Sequence, residues 1–364
     1  MNMPDKNKIA AAIGQIIDPD LGQSLEQLNA IKSITIGDSN VAIGLELTGP
    51  VNYAAKIIES LCTEKVRELY PDIKPDVSIS ENYPDSKNRN FLKGVKNIIA
   101  VASGKGGVGK SAISSNIAAA LALSGAKTGI LDGDVYGPSQ PTMFGMSDQR
   151  LVAETDSEGN TVAYPREKYG VKVASMGFVM NRDEAAIVRG PMLAGYFSML
   201  FEQVEWGELD YLVFDLPPGT GDIQLTLTQK IPLTGAVVVT TPQEIALADV
   251  RRSIAMFRRV DVDILGIVEN MSYFTPPDMP DKKYHIFGKG GGSKMADEAG
   301  VPMLGEVPLD IEMREANDGG EPVVISRKSK RQAEVLEEIS AAIASGVRRI
   351  NAEKIASGDI EINI

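Results

Sequence analysis

Val101-Ala-Ser-Gly104-Lys105-Gly-Gly-Val-Gly109-Lys110-Ser111 is a glycine-rich turn between an apolar run and an alanine-rich helical stretch. It fits the phosphate-loop pattern G-x-x-x-x-G-K-[ST] at every fixed position. Glycines at this spacing let several backbone N–H groups turn inward around an anion with no Cβ in the way. A helix starting there adds its positive N-terminal end. The stretch predicts a nucleotide site, and the flanking strand and helix patterns argue against a chance glycine turn.

Chemistry assigns different tasks to the residues of this loop. We expect Lys110 to contact the β- and γ-phosphates of ATP, and the Ser111 hydroxyl to ligate Mg²⁺. ATP and Mg²⁺ are therefore the predicted cofactors. The predicted nucleotide-binding residues of the loop are Gly104, Lys105, Gly106, Gly107, Val108, Gly109, Lys110, Ser111 and Ala112.

Composition limits the classes of function. With 364 residues, 43% of them hydrophobic, the chain is long enough for one large and one small domain. Its net charge of -12 argues against a nucleic-acid partner. No apolar run approaches the roughly 18 residues of a membrane span and no signal peptide is evident, so a cytoplasmic protein is predicted. The single cysteine, Cys62, and single histidine, His285, leave few soft ligands for zinc or an iron–sulfur cluster.

Residues 1–82 predict a small α+β domain. Ile9–Ile17 is an amphipathic helix that stops at the proline and glycine of Asp18-Pro-Asp-Leu-Gly22. Val41–Leu47 alternates as a half-buried strand does, with a hairpin partner around Ile34. A second helix, Ala54–Leu69, follows. Residues 83–93 predict a linker, because they are polar and contain a proline.

From residue 94 onward, short continuous apolar runs alternate with helical stretches, as in parallel strands covered on both faces. The predicted strands are Ile98–Ala102, Thr128–Leu131, Val171–Ala174, Tyr211–Phe214, Ala236–Val239 and Ile264–Val268. The predicted fold class is α/β, a doubly wound and mostly parallel sheet, which binds ligands at the carboxyl ends of its strands. This domain is expected to span residues 94–350, with a closing helix at Arg331–Ile350 and a C-terminal tail at 351–364.

Acidic residues follow two of these strands. In Leu131-Asp132-Gly-Asp134 one residue separates two aspartates, so one of them can orient structure while the other faces the phosphates. We expect Asp134 to position the attacking water or the Mg²⁺ shell; a solvated turn with a helix cap is the alternative. Asp215, after Tyr211–Phe214, is the predicted Walker B acid that reaches Mg²⁺ through water.

Three further features are less specific. Asn270, at the end of a later strand, has an amide suited to adenine, with a turn or capping role as the alternative. The glycine run Phe287–Ser293 does not fit phosphate-loop spacing and is interpreted as a mobile loop. His285 has no second histidine and no nearby cysteine, which favours a packed or surface role over metal binding.

Taken together the motifs resemble the Mrp/ApbC family of P-loop ATPases. The resemblance rests on the deviant Walker A form Ser103–Ser111, on Leu131–Ser139, on Asp215-Leu-Pro-Pro-Gly-Thr-Gly-Asp222 and on Glu269-Asn-Met-Ser272. Residues 1–82 are similar to the small iron–sulfur-assembly domain often fused in front of it. A more distant similarity links the chain to MinD and ParA, which are dimeric ATPases.

The resemblance implies further roles and partners. It implies a homodimer in which Lys105, the signature lysine, reaches the phosphates bound to the other protomer; a solvated lysine is what the sequence alone leaves open. It implies that Asn270 contacts adenine and that Pro308–Asp310 lies near the base. It also implies iron–sulfur client or scaffold proteins as partners.

The chain departs from the family where a cluster is usually bound. Cluster-carrying members have a C-x-x-C pair after the Asn-Met-Ser motif, whereas Tyr273–Tyr284 contains no cysteine. Thr48–Asn52 replaces the cysteine turn of the front domain. Because a cluster normally takes four cysteine ligands, a stably bound one would need glutathione or another protein. Cys62, in the middle of a helix, is interpreted as a structural cysteine.

Two classes of function fit these features. The first is a Mg²⁺-dependent, ATP-hydrolysing dimer that assists iron–sulfur cluster assembly or transfer to client proteins, with Lys105, Lys110 and Asp134 as its catalytic residues. The second is a nucleotide-switched interaction or positioning ATPase like MinD, holding no cluster. The mixed charge of Glu334–Ile350 favours packing over membrane anchoring. A metabolic kinase would need an acceptor site, which the sequence does not indicate.

Overall fold

The computed structural model describes residues 4–84, 92–135, 137–155, 161–179 and 195–358, apart from residues 196 and 198. The chain forms two compact units, one of Met1–Ser86 with Ala344–Ile364 and one of Lys87–Ile343. Most of the predicted linker lies outside the described residues, as do the last six residues of the predicted tail.

The small unit has the predicted α+β composition. Its elements are α1 (Lys6–Gly14), β1 (Ile31–Ile36), β2 (Asn40–Thr48), α2 (Ala55–Leu69) and β3 (Lys74–Asn82). Strand β2 is central, antiparallel to β1 and parallel to β3. Its alternate residues Val41, Ile43 and Leu45 are buried in one apolar core with Ile9 and Ile58 of the helices. The apolar residues that recur at every second position of β2 thus form the face of the sheet that is turned to the core.

The large unit follows the predicted order of strands and helices. In chain order its elements are β4 (Val95–Ala102), α3 (Lys110–Leu123), β5 (Thr128–Asp132), α4 (Gln140–Met143), β6 (Val152–Thr155), β7 (Thr161–Tyr164), β8 (Arg166–Lys168), β9 (Val171–Ser175), a 3₁₀ turn (Met176–Phe178), a π-helical turn (Met199–Gln203), β10 (Leu209–Asp215), α5 (Asp222–Lys230), β11 (Gly235–Thr240), α6 (Glu244–Arg259), β12 (Ile264–Phe274), α7 (Gly291–Ala299), β13 (Met303–Leu309), α8 (Ile311–Asp318) and α9 (Val323–Ser326). It is followed by α10 (Lys330–Ser357), which extends into the small unit.

Eight strands form the main sheet in the order β13-β12-β11-β4-β10-β5-β9-β8. All neighbours are parallel except β8 and β9. Every residue of β11 is buried, as expected of a central parallel strand. The register places Asp215 beside Val101 on one side and Asp132 on the other. The fold class predicted from the sequence is confirmed, and the order of β4, β10 and β5 brings the phosphate loop next to both acidic motifs.

The C-terminal helix α10 is longer than the predicted closing helix, since it continues through most of the predicted tail to Ser357. Within the small unit its Arg348 is almost fully buried. The Arg348 guanidinium donates from Nη2 to Asp18 Oδ2 at 2.8 Å and from Nη1 to Asp20, while Nε donates to the carbonyl of Thr48 at 2.8 Å. Asp18 in turn accepts the backbone N–H of Leu21 at 3.1 Å. Arg348 of α10 therefore fixes the Asp-Pro-Asp-Leu-Gly turn.

Buried charge at this site is compensated by the pairing. Burial acts to lower the pKa of Arg348, but the hydrogen bonds and charges of Asp18 and Asp20 outweigh burial, so the pKa is raised. Arg348 Nη1 also donates to Asp18 Oδ1, at 3.1 Å, so the contact with Asp18 is bidentate, the geometry in which a buried guanidinium is best satisfied.

No helix among the described residues is long and apolar enough to cross a membrane.

Candidate functional site: a phosphate loop beside two acidic strand ends

The phosphate loop lies between β4 and α3, as the sequence predicts. Gly107 and Gly109 have φ values of 81° and 79°, in the left-handed region that favours glycine. Gly104 has a different constraint: a Cβ there would lie 2.1 Å from the Cβ of Asp249 in α6. Two glycines are thus needed for backbone conformation and one for the close approach of a helix.

Lys110, at the start of α3, is buried and pairs with the Walker B acid. Its ammonium donates to Oδ1 of Asp215, whose side chain has no exposed surface, and lies 3.4 Å from the Ser111 hydroxyl. Ser114, one turn further along α3, also donates to Asp215 Oδ1, at 2.8 Å. A buried carboxylate needs such a cation and hydrogen bonds to remain ionised at low cost. Lys110 and Asp215 therefore form a buried ion pair at the phosphate loop.

The same residues fit a magnesium site. The hydroxyl of Ser111 and the carboxylate of Asp215 both face one positive charge, the Lys110 ammonium. Oxygen atoms of this kind are what Mg²⁺ prefers, and Mg²⁺ bound with a nucleotide takes few protein ligands because phosphates and water complete its shell. Among the described residues there is no cluster of three or more His, Cys, Asp or Glu side chains that could hold a metal without such help.

Asp132 organises the segment that follows β5. It is fully buried, and its Oδ2 accepts the backbone N–H of Ser139 and the hydroxyl of Ser175, both at 3.0 Å. Burial, and then the nearby charge of Asp215, raise the pKa of Asp132 to about 7. Asp132 therefore orients the structure around it, which is the role expected for one of the two acids.

Asp134 lies on the segment that Asp132 holds. Its backbone N–H donates to Asp132 Oδ1 at 3.1 Å, and its own Oδ1 accepts the N–H of Gly137 at 3.1 Å. Its side chain is partly exposed, unlike that of Asp132. The turn accounts for its local geometry, and its role toward water or Mg²⁺ stays a prediction.

Asn270 supports the phosphate loop directly. Its Nδ2 donates to the carbonyl of Val108 at 2.9 Å, and its Oδ1 accepts the N–H of Met271 at 3.0 Å. A Cβ at Gly109 would lie 2.2 Å from the Asn270 Nδ2 atom, which is a second reason for glycine at that position. The predicted contact of Asn270 with adenine is not tested by these bonds, which instead link β12 to the loop.

Comparison with known proteins agrees with this geometry. The sequence profile of the NUBPL iron-transfer P-loop NTPases, within the ParA group, matches residues 94–344. The chain belongs to this family of P-loop NTPases. A second profile, that of iron–sulfur cluster assembly proteins, matches residues 6–78 of the small unit.

Relatives and solved structures agree with the assignment. The chain is 45% identical over 342 residues to the iron-sulfur cluster carrier protein of Synechocystis, covering 93% of this chain and 97% of the relative. It is similar to a nucleotide-binding protein from Archaeoglobus fulgidus solved with ADP (38% identity, TM-score 0.55, 63% of this chain and 88% of that one). The cell division ATPase MinD of Pyrococcus furiosus (22% identity, TM-score 0.51, 68% and 98% covered) shares the fold.

Three side chains of this site, all in the large unit, were not predicted from the sequence. Ser114 and Gln140 both donate to Asp215, and Gln243 accepts from Lys105 Nζ at 3.2 Å through its Oε1. Ser114 lies four residues after Lys110 and hence on the same face of α3, so helical spacing carried a signal. Gln140 and Gln243 are placed by the sheet order, which local patterns do not reveal.

The glycine run was expected to be a mobile loop, but the structure places part of it in a helix. Gly290, in a left-handed conformation, precedes α7, which begins at Gly291. The buried carboxylate of Glu269 accepts the N–H of Gly292, and a Cβ at Gly292 would lie 2.9 Å from the Cβ of Glu269. The glycines therefore allow the start of a helix to pack on β12, and burial raises the pKa of Glu269.

The segment after the Asn-Met-Ser motif is folded without cysteine. Phe274 and Tyr284 exchange two backbone hydrogen bonds of 2.8 Å, which close a loop between them. The Tyr273 hydroxyl accepts from Arg331 at 2.9 Å, and the Lys283 ammonium lies 4.1 Å from the centre of the Tyr273 ring. His285, half-buried, has its Nδ1 atom 3.2 Å from the carbonyl of Ser272, which agrees with a packing role.

The thiol of Cys62 is shielded from solvent in this fold. Cys62 lies within α2, fully buried in the apolar core of the small unit, and burial raises the pKa of its thiol from 9.0 to about 12. The reactive species of a thiol is the thiolate, so a shift of this size makes the thiolate about 10³-fold rarer at pH 8. The interpretation of Cys62 as a structural cysteine agrees with this environment.

We expect Cys62 in the native protein to resist alkylation or reaction with a disulfide reagent at pH 8, by about 10³-fold relative to the unfolded chain. The measurement is thiol release over time with and without denaturant. Rapid labelling of the folded protein would show that the small unit opens at this position.

Proposed function

We propose that the protein is a Mg²⁺-dependent ATPase that works as a homodimer in the cytoplasm and assists the assembly or transfer of iron–sulfur clusters to client or scaffold proteins. The observation that carries the proposal is the convergence of Lys110, Ser111 and Asp215 at a complete phosphate loop. The family profile gives this NTPase its iron-transfer class, and the solved ADP complex of a 38% identical relative supports the nucleotide.

Nucleotide binding breaks the Lys110–Asp215 pair. The glycine backbone and the N-terminus of α3 bind the phosphates, and Lys110 moves from the acid to the β- and γ-phosphates. Asp215 then loses its contact with Lys110 and, with Ser111, is available to Mg²⁺. Ser111 and Asp215 would hold Mg²⁺ there, and the ion would supply positive charge to the phosphates when bound.

Hydrolysis needs an oriented water and charge at the transferring phosphoryl group. Asp134 orients the water from its segment beside β5. The positive charge comes from Lys110 in the same chain and from Lys105 of the second protomer. In the structure Lys105 is bound instead to Gln243 Oε1 of its own chain, at 3.2 Å. Dimer formation on ATP therefore exchanges a neutral partner of Lys105 for an anionic one.

Replacing Lys105 by alanine should leave the monomer folded, because its partner Gln243 is a neutral, partly exposed amide. Hydrolysis should fall by about 10²-fold, since one charge on the transferring phosphoryl group is lost. Phosphate release at saturating MgATP measures the rate, and thermal unfolding measures the folding. Full activity in Lys105→Ala would be incompatible with a lysine acting across the dimer.

Adenine recognition is assigned to the end of β12 and to Pro308. Asn270 lies beside the phosphate loop, to which its Nδ2 is bonded, and its amide has the donor and acceptor that an adenine edge needs. Pro308 follows in β13, and its carbonyl accepts from Gln332 at 2.6 Å. Contact with the base would require Asn270 to exchange one of its present bonds for a base contact.

The cluster is a substrate in this proposal, held with ligands from outside the chain. Cys62 is buried and protonated, so a dimer has no thiolate of its own ready for iron. Glutathione or a client protein would supply the remaining ligands. ATP binding to the large unit drives formation of the dimer. The cluster is bound only transiently.

Anaerobic reconstitution with iron and sulfide, followed by desalting and absorbance spectroscopy, tests the cluster step. We expect a labile chromophore that is retained only with glutathione or an apo-ferredoxin acceptor present. A stable holoprotein unaffected by Cys62→Ser would contradict the ligand argument. Hydrolysis without any cluster uptake or transfer would favour a MinD-like nucleotide switch instead.

A further inference from the structure

Gln140 and Lys110 bond to different carboxylate oxygens of Asp215. Gln140 is the first residue of α4 and its side chain is fully buried. Both hydrogens of its amide are used, one on Asp215 Oδ2 at 2.9 Å and one on the carbonyl of Ser111 at 3.1 Å. One amide thus links the Walker B strand to the first turn of α3.

The position of Gln140 is itself fixed. Its backbone N–H donates to Oδ2 of Asp132 at 3.0 Å, and Asp132 is fully buried at the end of β5. A chain of hydrogen bonds therefore runs from Asp132 through Gln140 to Asp215. Such support restricts the rotation of a carboxylate whose oxygens must meet a metal site.

The two oxygens of Asp215 have separate supports. Oδ1 accepts from Lys110 and Ser114, and Oδ2 accepts from Gln140. When Lys110 moves to the phosphates, Ser114 and Gln140 remain, one on each oxygen. We propose that Gln140 is a positioning residue that keeps Asp215 oriented toward Mg²⁺ in the nucleotide complex. The inference rests on the proposed Mg·ATP function of the phosphate loop.

Two buried polar atoms without partners in the described part of the chain also support a role for Gln140 at the site. Gln140 Oε1 and the neighbouring Ser139 Oγ are buried and have no hydrogen-bond partner among the described residues. A buried polar atom left unpaired costs about 1–3 kcal/mol, which an apolar side chain of similar size would avoid. Gln140 bonds to Asp215 and to the carbonyl of Ser111, the two residues of the proposed Mg²⁺ site, where ordered water can bond to Oε1.

The test is the Mg²⁺ dependence of binding of a fluorescent ADP to Gln140→Met, which keeps the length of the side chain and removes the amide. In EDTA the variant should bind ADP within about twofold of the wild type. The Mg²⁺ concentration for half-maximal tightening should rise about tenfold, as for other residues that support a metal ligand. Thermal unfolding checks that the variant is folded; Gln140→Asn, whose amide is one methylene too short, replaces it if it is not.

Asn317→Leu is the matched control. Asn317 is also buried, with an amide oxygen that has no partner among the described residues, but it lies in α8 and has no assigned role in nucleotide or metal binding. Its Mg²⁺ dependence should equal that of the wild type. An unchanged Mg²⁺ dependence in the folded Gln140 variant, or an equal shift in the control, overturns the inference alone. A wild-type protein that binds no ADP overturns the proposed function as well.

Discussion

Replacing Lys110 by alanine should lower ATP hydrolysis by about 10³-fold, the largest catalytic effect expected for one substitution in this chain. In the proposed mechanism the ammonium is the charge next to the transferring phosphoryl group, and its removal leaves only Lys105 of the second protomer and Mg²⁺. Phosphate release under saturating MgATP gives the rate, and ADP binding shows whether the loop still holds nucleotide. Hydrolysis within tenfold of the wild type would contradict the assignment of Lys110.

The same substitution should destabilise the protein without nucleotide. Asp215 has no exposed surface, so removal of Lys110 leaves a buried carboxylate without its cation, at a cost of about 3–5 kcal/mol in unfolding free energy. The double variant Lys110→Ala with Asp215→Asn removes both charges and should recover much of the stability but none of the activity. Urea unfolding of the two variants separates a folding defect from a catalytic one.

Arg348→Met should lower the unfolding free energy of the small unit by about 3–5 kcal/mol. The guanidinium is the cation for Asp18, whose carboxylate is fully buried, and for Asp20. The carbonyl of Thr48 would lose its donor in the same substitution. Urea unfolding followed by thiol labelling of Cys62 reports on this unit specifically, because that cysteine lies in its core.

Arg349→Met is the control for this prediction. Arg349 is the next residue of α10, is exposed, and bonds through Nη1 to Ser345 of the same helix at 3.2 Å. Exposed substitutions of this type usually change stability by less than about 0.5 kcal/mol. Equal effects of the two variants would mean that the buried ion pair does not stabilise the small unit.

The sequence was sufficient for the architecture and for the presence of an acid beside the phosphate loop. Apolar runs of parallel-sheet type predicted the strands, and the position of Asp215 at the end of one of them predicted an acid near the phosphate loop. The structure brings Asp215 into contact with Lys110, 105 residues away in the chain. Parallel strands end at one edge of the sheet, so fold class placed both residues at that edge, and the neighbouring positions of β4 and β10 bring them into contact.

Contacts set by packing could not be predicted in this way. Arg348 and Asp18 are 330 residues apart, and neither belongs to a periodic pattern that pairs them. Gln140 follows a motif whose fixed positions say nothing about the direction of the next side chain. The glycines before α7 signal backbone freedom, but only the neighbouring Glu269 shows that this freedom serves close packing rather than motion.

Helix α10 also has a consequence for the order in which the protein folds during synthesis. Residues 4–84 leave the ribosome before the large unit, and their unit is completed by residues 344–357, which leave after it. Until then Asp18 lacks the guanidinium of Arg348. Nascent chains that end before residue 344 should therefore carry a folded large unit and an unfinished small one, so the core of the small unit closes only after the last turns of α10 have been made.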